Sequence, residues 1–97
     1  MYAVIFRAEL NELDENYSET AARMRDRAMS RYGCTEFISV MEGMQEIAIS
    51  YWETEEQIKQ WKQDSEHLAA QELGRSRWYK SYCVQVVEII RESSRRT

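Results

Sequence analysis

Residues 35–57 read TEFISVMEGMQEIAISYWETEEQ. Two runs within it, TEFISVME and QEIAISYWE, are rich in β-branched and aromatic residues and flank a break at Gly43-Met44, the pattern of a β-hairpin. The second run ends on Trp52 and passes almost directly into Thr54-Glu55-Glu56-Gln57. This is a T-x-x-Q capping box, in which the threonine and glutamine side chains satisfy each other's backbone N–H groups, so a helix starts here. A hairpin that feeds a helix sets the middle of the fold, and its surroundings set the rest.

Upstream, YAVIFRAEL (residues 2–10) alternates, with Tyr2, Val4, Phe6 and Ala8 on one face and Ala3, Ile5 and Arg7 on the other, and reads as a first strand. Asp14 can cap a helix over residues 15–32. Tyr17, Ala21, Met24, Ala28 and Tyr32 recur at helical spacing along it, and Gly33 supplies the left-handed position that ends it. Acidic residues lead that helix and arginines follow, the order that offsets the helix dipole. Downstream of the hairpin, Ile58 and Trp61 share a face of the capped helix. A second start at Asp64 or Ser65 then leads through His67 and Leu68 to Gly74, predicting a kinked helix or two abutting ones. The last strand, WYKSYCVQVVEII, sets Tyr82, Val84, Val86 and Ile90 against Tyr79, Cys83, Val87 and Ile89, so both of its faces are expected to bury something.

The order is therefore β-α-β-β-α-β, an α+β, ferredoxin-like arrangement with an antiparallel sheet and both helices on one face. Strands apolar on both sides leave the other face in need of a partner, and the simplest is a second copy about a two-fold axis. A homodimer is expected.

A chain of 97 residues with no proline and three glycines has room for one domain, read as residues 1–90 with a short basic tail at 91–97. The net charge of -4 conceals an acidic body and a basic end, which argues against nucleic acid as the main partner. No apolar run approaches a membrane span and the N-terminus lacks a secretory pattern, so a cytoplasmic protein without a membrane partner is expected. Cys34 and Cys83 have neither metal-ligand nor thioredoxin-type spacing and are expected as buried free thiols, with no metal site. No glycine-rich phosphate loop or RNA-binding aromatic run is present.

What remains is an aromatic concentration. Residues 50–82 contain all three tryptophans and the only histidine. Trp52, Trp61, and Trp78 with Tyr79 either fill the core or line one cavity between sheet and helix that would suit a flat aromatic ligand. His67 is either a surface or interface histidine or a proton acceptor suited to neutral pH. Arg7 is either a charge at a sheet edge or interface or the cation that stabilises an anion.

SYWETEEQIKQWKQDSEHLAAQ (50–71), followed by WYKSYCVQVVEI (78–89), resembles the antibiotic biosynthesis monooxygenase family over essentially the whole chain. The resemblance implies ferredoxin-like protomers that dimerise through their sheets as a dimeric α+β barrel. It also implies cofactor-independent oxygenation, in which a hydroxylated aromatic or quinol is deprotonated and its anion reduces O2. Carried over by residue, His67 would be the base and Trp61 a pocket wall. Arg7 is added from the strand pattern as an anion stabiliser, and Tyr51, Trp52, Gln57, Trp78 and Tyr79 as substrate contacts. Some quinone-forming members place asparagine where this chain has Gln57. Haem-degrading members use a first-strand asparagine and a histidine ten residues after the tryptophan, where this chain has Arg7 and Gln71. No cofactor is therefore expected, and the alternative is a non-catalytic dimeric domain that binds a small ligand or regulates.

Overall fold

The computed structural model describes residues 1–11, 15–71 and 78–96, the side chains of residues 67–71 excepted. In chain order these form β1 (Tyr2–Leu10), α1 (Glu15–Arg31), β2 (Glu36–Glu42), β3 (Gln45–Trp52), α2 (Glu55–Gln71) and β4 (Tyr79–Glu88). The strands make one antiparallel sheet in the order β2-β3-β1-β4. The ferredoxin-like arrangement expected from the sequence is the one observed.

Local chemistry accounts for the joints. Gly43 takes φ +59° in the two-residue turn between the paired Glu42 and Gln45. Gly33 takes φ +83° just after α1, as a left-handed helix terminator does. The capping box at α2 is formed in both directions: Gln57 N–H donates to Thr54 Oγ1, and Thr54 N–H to Gln57 Oε1, each at 3.2 Å. Asp14 lies outside the described residues, as does Gly74.

Because side chains alternate along a strand, register assigns each residue to a face. Tyr2, Val4, Phe6, Ala8 and Leu10 of β1 share the helix side with Glu46, Ala48, Ser50 and Trp52 of β3. Two hydrophobic clusters form there. One joins Val4, Ala28, Cys34, Trp52 and Ile58, with Phe37 and Trp61 packed on it. The other joins Leu10, Tyr17 and Trp78, with Tyr79 packed on it.

Four features differ from the expectation. Helix α2 is one continuous helix, because Asp64 does not cap a second start: it accepts from Arg27 Nη1 of α1 at 2.9 Å. Strand β4 is an edge strand whose residues 80–88 are exposed on both faces, so neither face is buried within one chain. Cys83 on it is exposed, whereas Cys34 is buried and burial pushes its thiol pKa up. Finally, an irregularity between Glu9 and Leu10 puts Tyr79 opposite Leu10 while Tyr82 stays opposite Ala8. Tyr79 therefore joins Tyr82 on the helix side, where simple alternation had set them apart.

Candidate functional site

The three tryptophans do not meet in one cavity. Trp52 is fully buried and its Nε1–H donates to Ser50 Oγ at 2.8 Å. Trp61 lies 5.4 Å from it, ring to ring, and donates from Nε1 to the Met24 carbonyl of α1 at 2.9 Å. Trp52 is a core residue and Trp61 a half-buried one packed on that core, each with its polar end satisfied. Trp78 belongs to the other cluster, is 2% exposed, and its Nε1–H has no hydrogen-bond partner among the described residues. A buried donor without a partner is uncommon in a folded protein.

Around Trp78 the rings are continuous. Tyr17 stands edge-on to it with centroids 5.4 Å apart, Tyr79 is 5.9 Å from Tyr17, Phe6 is 5.5 Å from Tyr79, and Tyr82 is 6.0 Å from Phe6 in a stacked pose. The array begins in the core and ends at solvent, because Tyr82, Val84 and Val86 on the helix side of β4 are exposed. The result is an aromatic shelf open at the β1–β4 side of the sheet.

At the inner end of this shelf is a buried carboxyl. The Tyr17 hydroxyl donates to Glu46 Oε1 at 2.6 Å, joining α1 to β3. Burial pushes the Glu46 carboxyl above the usual carboxylate range, and the hydrogen bond from Tyr17 opposes that rise without cancelling it. Tyr17 in turn is raised far above an ordinary phenol, first by burial and then by its bond to Glu46. Register puts Glu46, Ala8 and Tyr82 in one cross-strand row on the helix side, so only a methyl group separates the carboxyl's strand position from the exposed Tyr82. Thr20, one turn after Tyr17 on α1, is fully buried and its hydroxyl also has no partner among the described residues.

The remaining expected residues are scattered by the pleat and the cap. Arg7 and Tyr51 lie on the opposite, helix-free face, because they pair with Cys83 and Ala3 rather than with helix-side neighbours. Arg7 borders an open depression of about 440 Å³ across the β3–β1–β4 rows, whose lining includes Glu9, Glu46, Ile47, Tyr82 and Cys83. Gln57 spends its carbonyl on the N–H groups of Glu53 and Thr54. His67 falls in α2, and its side chain is outside the described residues. No group of three or more potential metal ligands occurs among the described residues, and no helix there is long and apolar enough to cross a membrane.

No protein-family model matches the chain. Among curated proteins, the uncharacterized protein YqjZ of Bacillus subtilis (strain 168) is 42% identical over 92 residues, covering 94% of this chain and 81% of that protein. The chain belongs to the YqjZ family. The solved structures that resemble this member of the YqjZ family give its fold wider company. SnoaB, a cofactor-independent oxygenase from Streptomyces nogalater, superposes with TM-score 0.75 at 9% identity over 94% of both chains. A candidate antibiotic biosynthesis monooxygenase from Nitrosomonas europaea gives 0.72 at 11% identity, over 94% of this chain and 100% of that one. A dimeric ferredoxin-like protein from an uncultured marine organism gives 0.58 at 9%, over 98% and 100%. The resemblance to antibiotic biosynthesis monooxygenases seen in the sequence thus has its structural counterpart, as a likeness of fold.

Glu46 and Tyr17 were not singled out from this YqjZ-family sequence as functional residues. A signal for Glu46 was present: alternation sets it on the face of Ala48, Ser50 and Trp52, an acid among inward-facing residues. Tyr17 was readable only as a core position, since its partner is 29 residues away.

Proposed function

We propose that the protein is a cytoplasmic, cofactor-free monooxygenase that oxidises a hydroxylated aromatic or quinol with O2 and works as a homodimer. The observation that carries the reading is the aromatic shelf built on Phe6, Tyr17, Tyr79 and Tyr82, with the indole N–H of Trp78, which has no partner among the described residues, at its buried end. Stacked and edge-on rings suit a flat aromatic ligand, and a dry N–H suits an oxygen atom that gains negative charge. The fold shared with SnoaB adds support, since that protein is a cofactor-independent oxygenase.

In such a reaction a phenol and O2 give a quinone and water. One oxygen atom becomes the new carbonyl, the other leaves as water, and the four electrons come from the substrate ring. The protein's task is to hold the ring, exclude water and favour the anion. On this reading Trp78 and Tyr79 are substrate contacts, and Trp52 and Trp61 support the adjoining core. Arg7 and Tyr51, on the far face, belong to the dimer contact. That face presents Ile38, Val40, Ile47 and Val87 to solvent, an apolar surface suited to a second copy.

The test is O2 uptake by chelator-treated protein against hydroquinones, dihydroxynaphthalenes and anthrones. Substrate-dependent uptake without added cofactor supports the reading. Binding of these compounds with no uptake above the uncatalysed background would leave a ligand-binding module in its place.

A further inference from the structure

The described residues contain a single buried acid, Glu46. The only hydrogen bond of its carboxyl among them is the one that Tyr17 donates to Oε1. A carboxyl held by one oxygen, in the same cross-strand row as the exposed Tyr82 and bonded to a tyrosine of the open aromatic shelf, has the composition of a proton-transfer site. Structural burial alone would be served better by an apolar side chain of similar volume.

We infer that Glu46, positioned by Tyr17, accepts the hydroxyl proton of an aromatic substrate bound on the Phe6–Tyr82 shelf. This rests on the oxygenase reading and names the group that starts it. The substrate O–H bond breaks, its electron pair remains on the oxygen, and Glu46 becomes a carboxylic acid. The resulting phenolate is the electron donor to O2. A carboxyl above its ordinary range is better matched to a phenol, whose usual pKa is about 10, than an exposed one would be. The titratable groups near Glu46 are Tyr17 of α1 and, beyond it, Tyr79 of β4, Tyr82 of β4 in its cross-strand row, and Arg7, Glu9 and Cys83 around the depression that it helps to line.

A chromophoric nitrophenol, whose ionised form absorbs visible light, separates this inference from turnover. Mixed with the full chain below the probe's own pKa, it is expected to bind with growth of the phenolate band. Glu46→Gln, which keeps an acceptor for Tyr17, should bind it in the neutral form. For an oxidisable substrate, Glu46→Gln should lower kcat by about 100-fold or more. Tyr17→Phe removes the bond that favours the carboxylate, so the acidic limb of the pH–rate profile should move to higher pH.

A phenolate band that persists in folded Glu46→Gln, or that never forms although the probe quenches tryptophan fluorescence, overturns the assignment. An acidic limb unmoved in Tyr17→Phe does the same. Failure of every nitrophenol to bind overturns it together with the oxygenase reading. Ionisation that depends on Glu46 without O2 uptake on any substrate supports the site and removes only the oxygenase.

Discussion

Replacing Gly33 with alanine perturbs the corner where α1 ends and α2 begins, and its two effects can be separated. Gly33 has φ +83°, a backbone conformation that costs an L-residue about 1–2 kcal/mol. An added Cβ would also sit 2.5 Å from Gln57 Nε2 and 3.2 Å from its Cδ. That carboxamide would have to move, and its Oε1 holds the N–H groups of Glu53 and Thr54 at the start of α2. Loss of such a cap costs about 0.5–2 kcal/mol, so Gly33→Ala should destabilise by roughly 2–4 kcal/mol in all. Gly43 supplies the control: its φ is +59°, but an added Cβ meets nothing within 4 Å, so only the conformational part, about 1–2 kcal/mol, applies. Urea denaturation followed by tryptophan fluorescence at fixed protein concentration measures both. In a Gln57→Ala background, where cap and clash are already gone, Gly33→Ala should fall to the cost of Gly43→Ala. An unchanged cost in that background would refute the coupling, and with it the assignment of Gln57 to the helix cap.

Glu46→Gln should stabilise the fold near neutral pH. Because the folded pKa of Glu46 is raised, its contribution is favourable below the ordinary carboxylate pKa and is lost as pH rises through the folded value. The advantage of the glutamine variant over the parent should therefore open with rising pH in denaturation curves, and a gap independent of pH would contradict the burial assigned to that carboxyl. Trp52→Phe leaves the buried Ser50 hydroxyl without the indole N–H and should cost about 1–3 kcal/mol beyond the lost volume. Trp78→Phe removes a donor that has no partner among the described residues, so calorimetry should find it the milder change while nitrophenol binding weakens. Ile47→Glu and Val40→Glu put charge on the helix-free face and should give monomers by light scattering with unchanged far-UV circular dichroism; retained dimers would place the contact elsewhere.

The fold was readable because each of its joints is encoded locally. The Thr54–Gln57 box, the glycine after α1 and the alternation of β1 all act over a few residues, so adjacent letters suffice. Tyr79 changed sides because of an irregularity opposite Glu9 and Leu10, a property of strand register that alternation within one strand cannot carry. Asp64 was misread as a helix start because its actual partner, Arg27, is on the other helix. The site suffered most from this distance effect. The Tyr17–Glu46 bond and the separation of Trp78 from Trp52 both depend on which elements pack together, whereas the aromatic composition of residues 50–82 said only that rings would be buried somewhere. The pattern around Trp61 carries the fold, whereas the inward acid on β3 carries no signal of its partner, which lies 29 residues away.

Isotopically labelled dioxygen tests the proposed chemistry most directly. Chelator-treated protein would be incubated with whichever hydroxylated aromatic it binds most tightly, and the product analysed by mass spectrometry. Incorporation of one labelled atom into a quinone product, with no added metal or cofactor and abolished in Glu46→Gln, is the predicted result. Unaltered substrate, or a product whose new oxygen comes from water, would contradict cofactor-free monooxygenation.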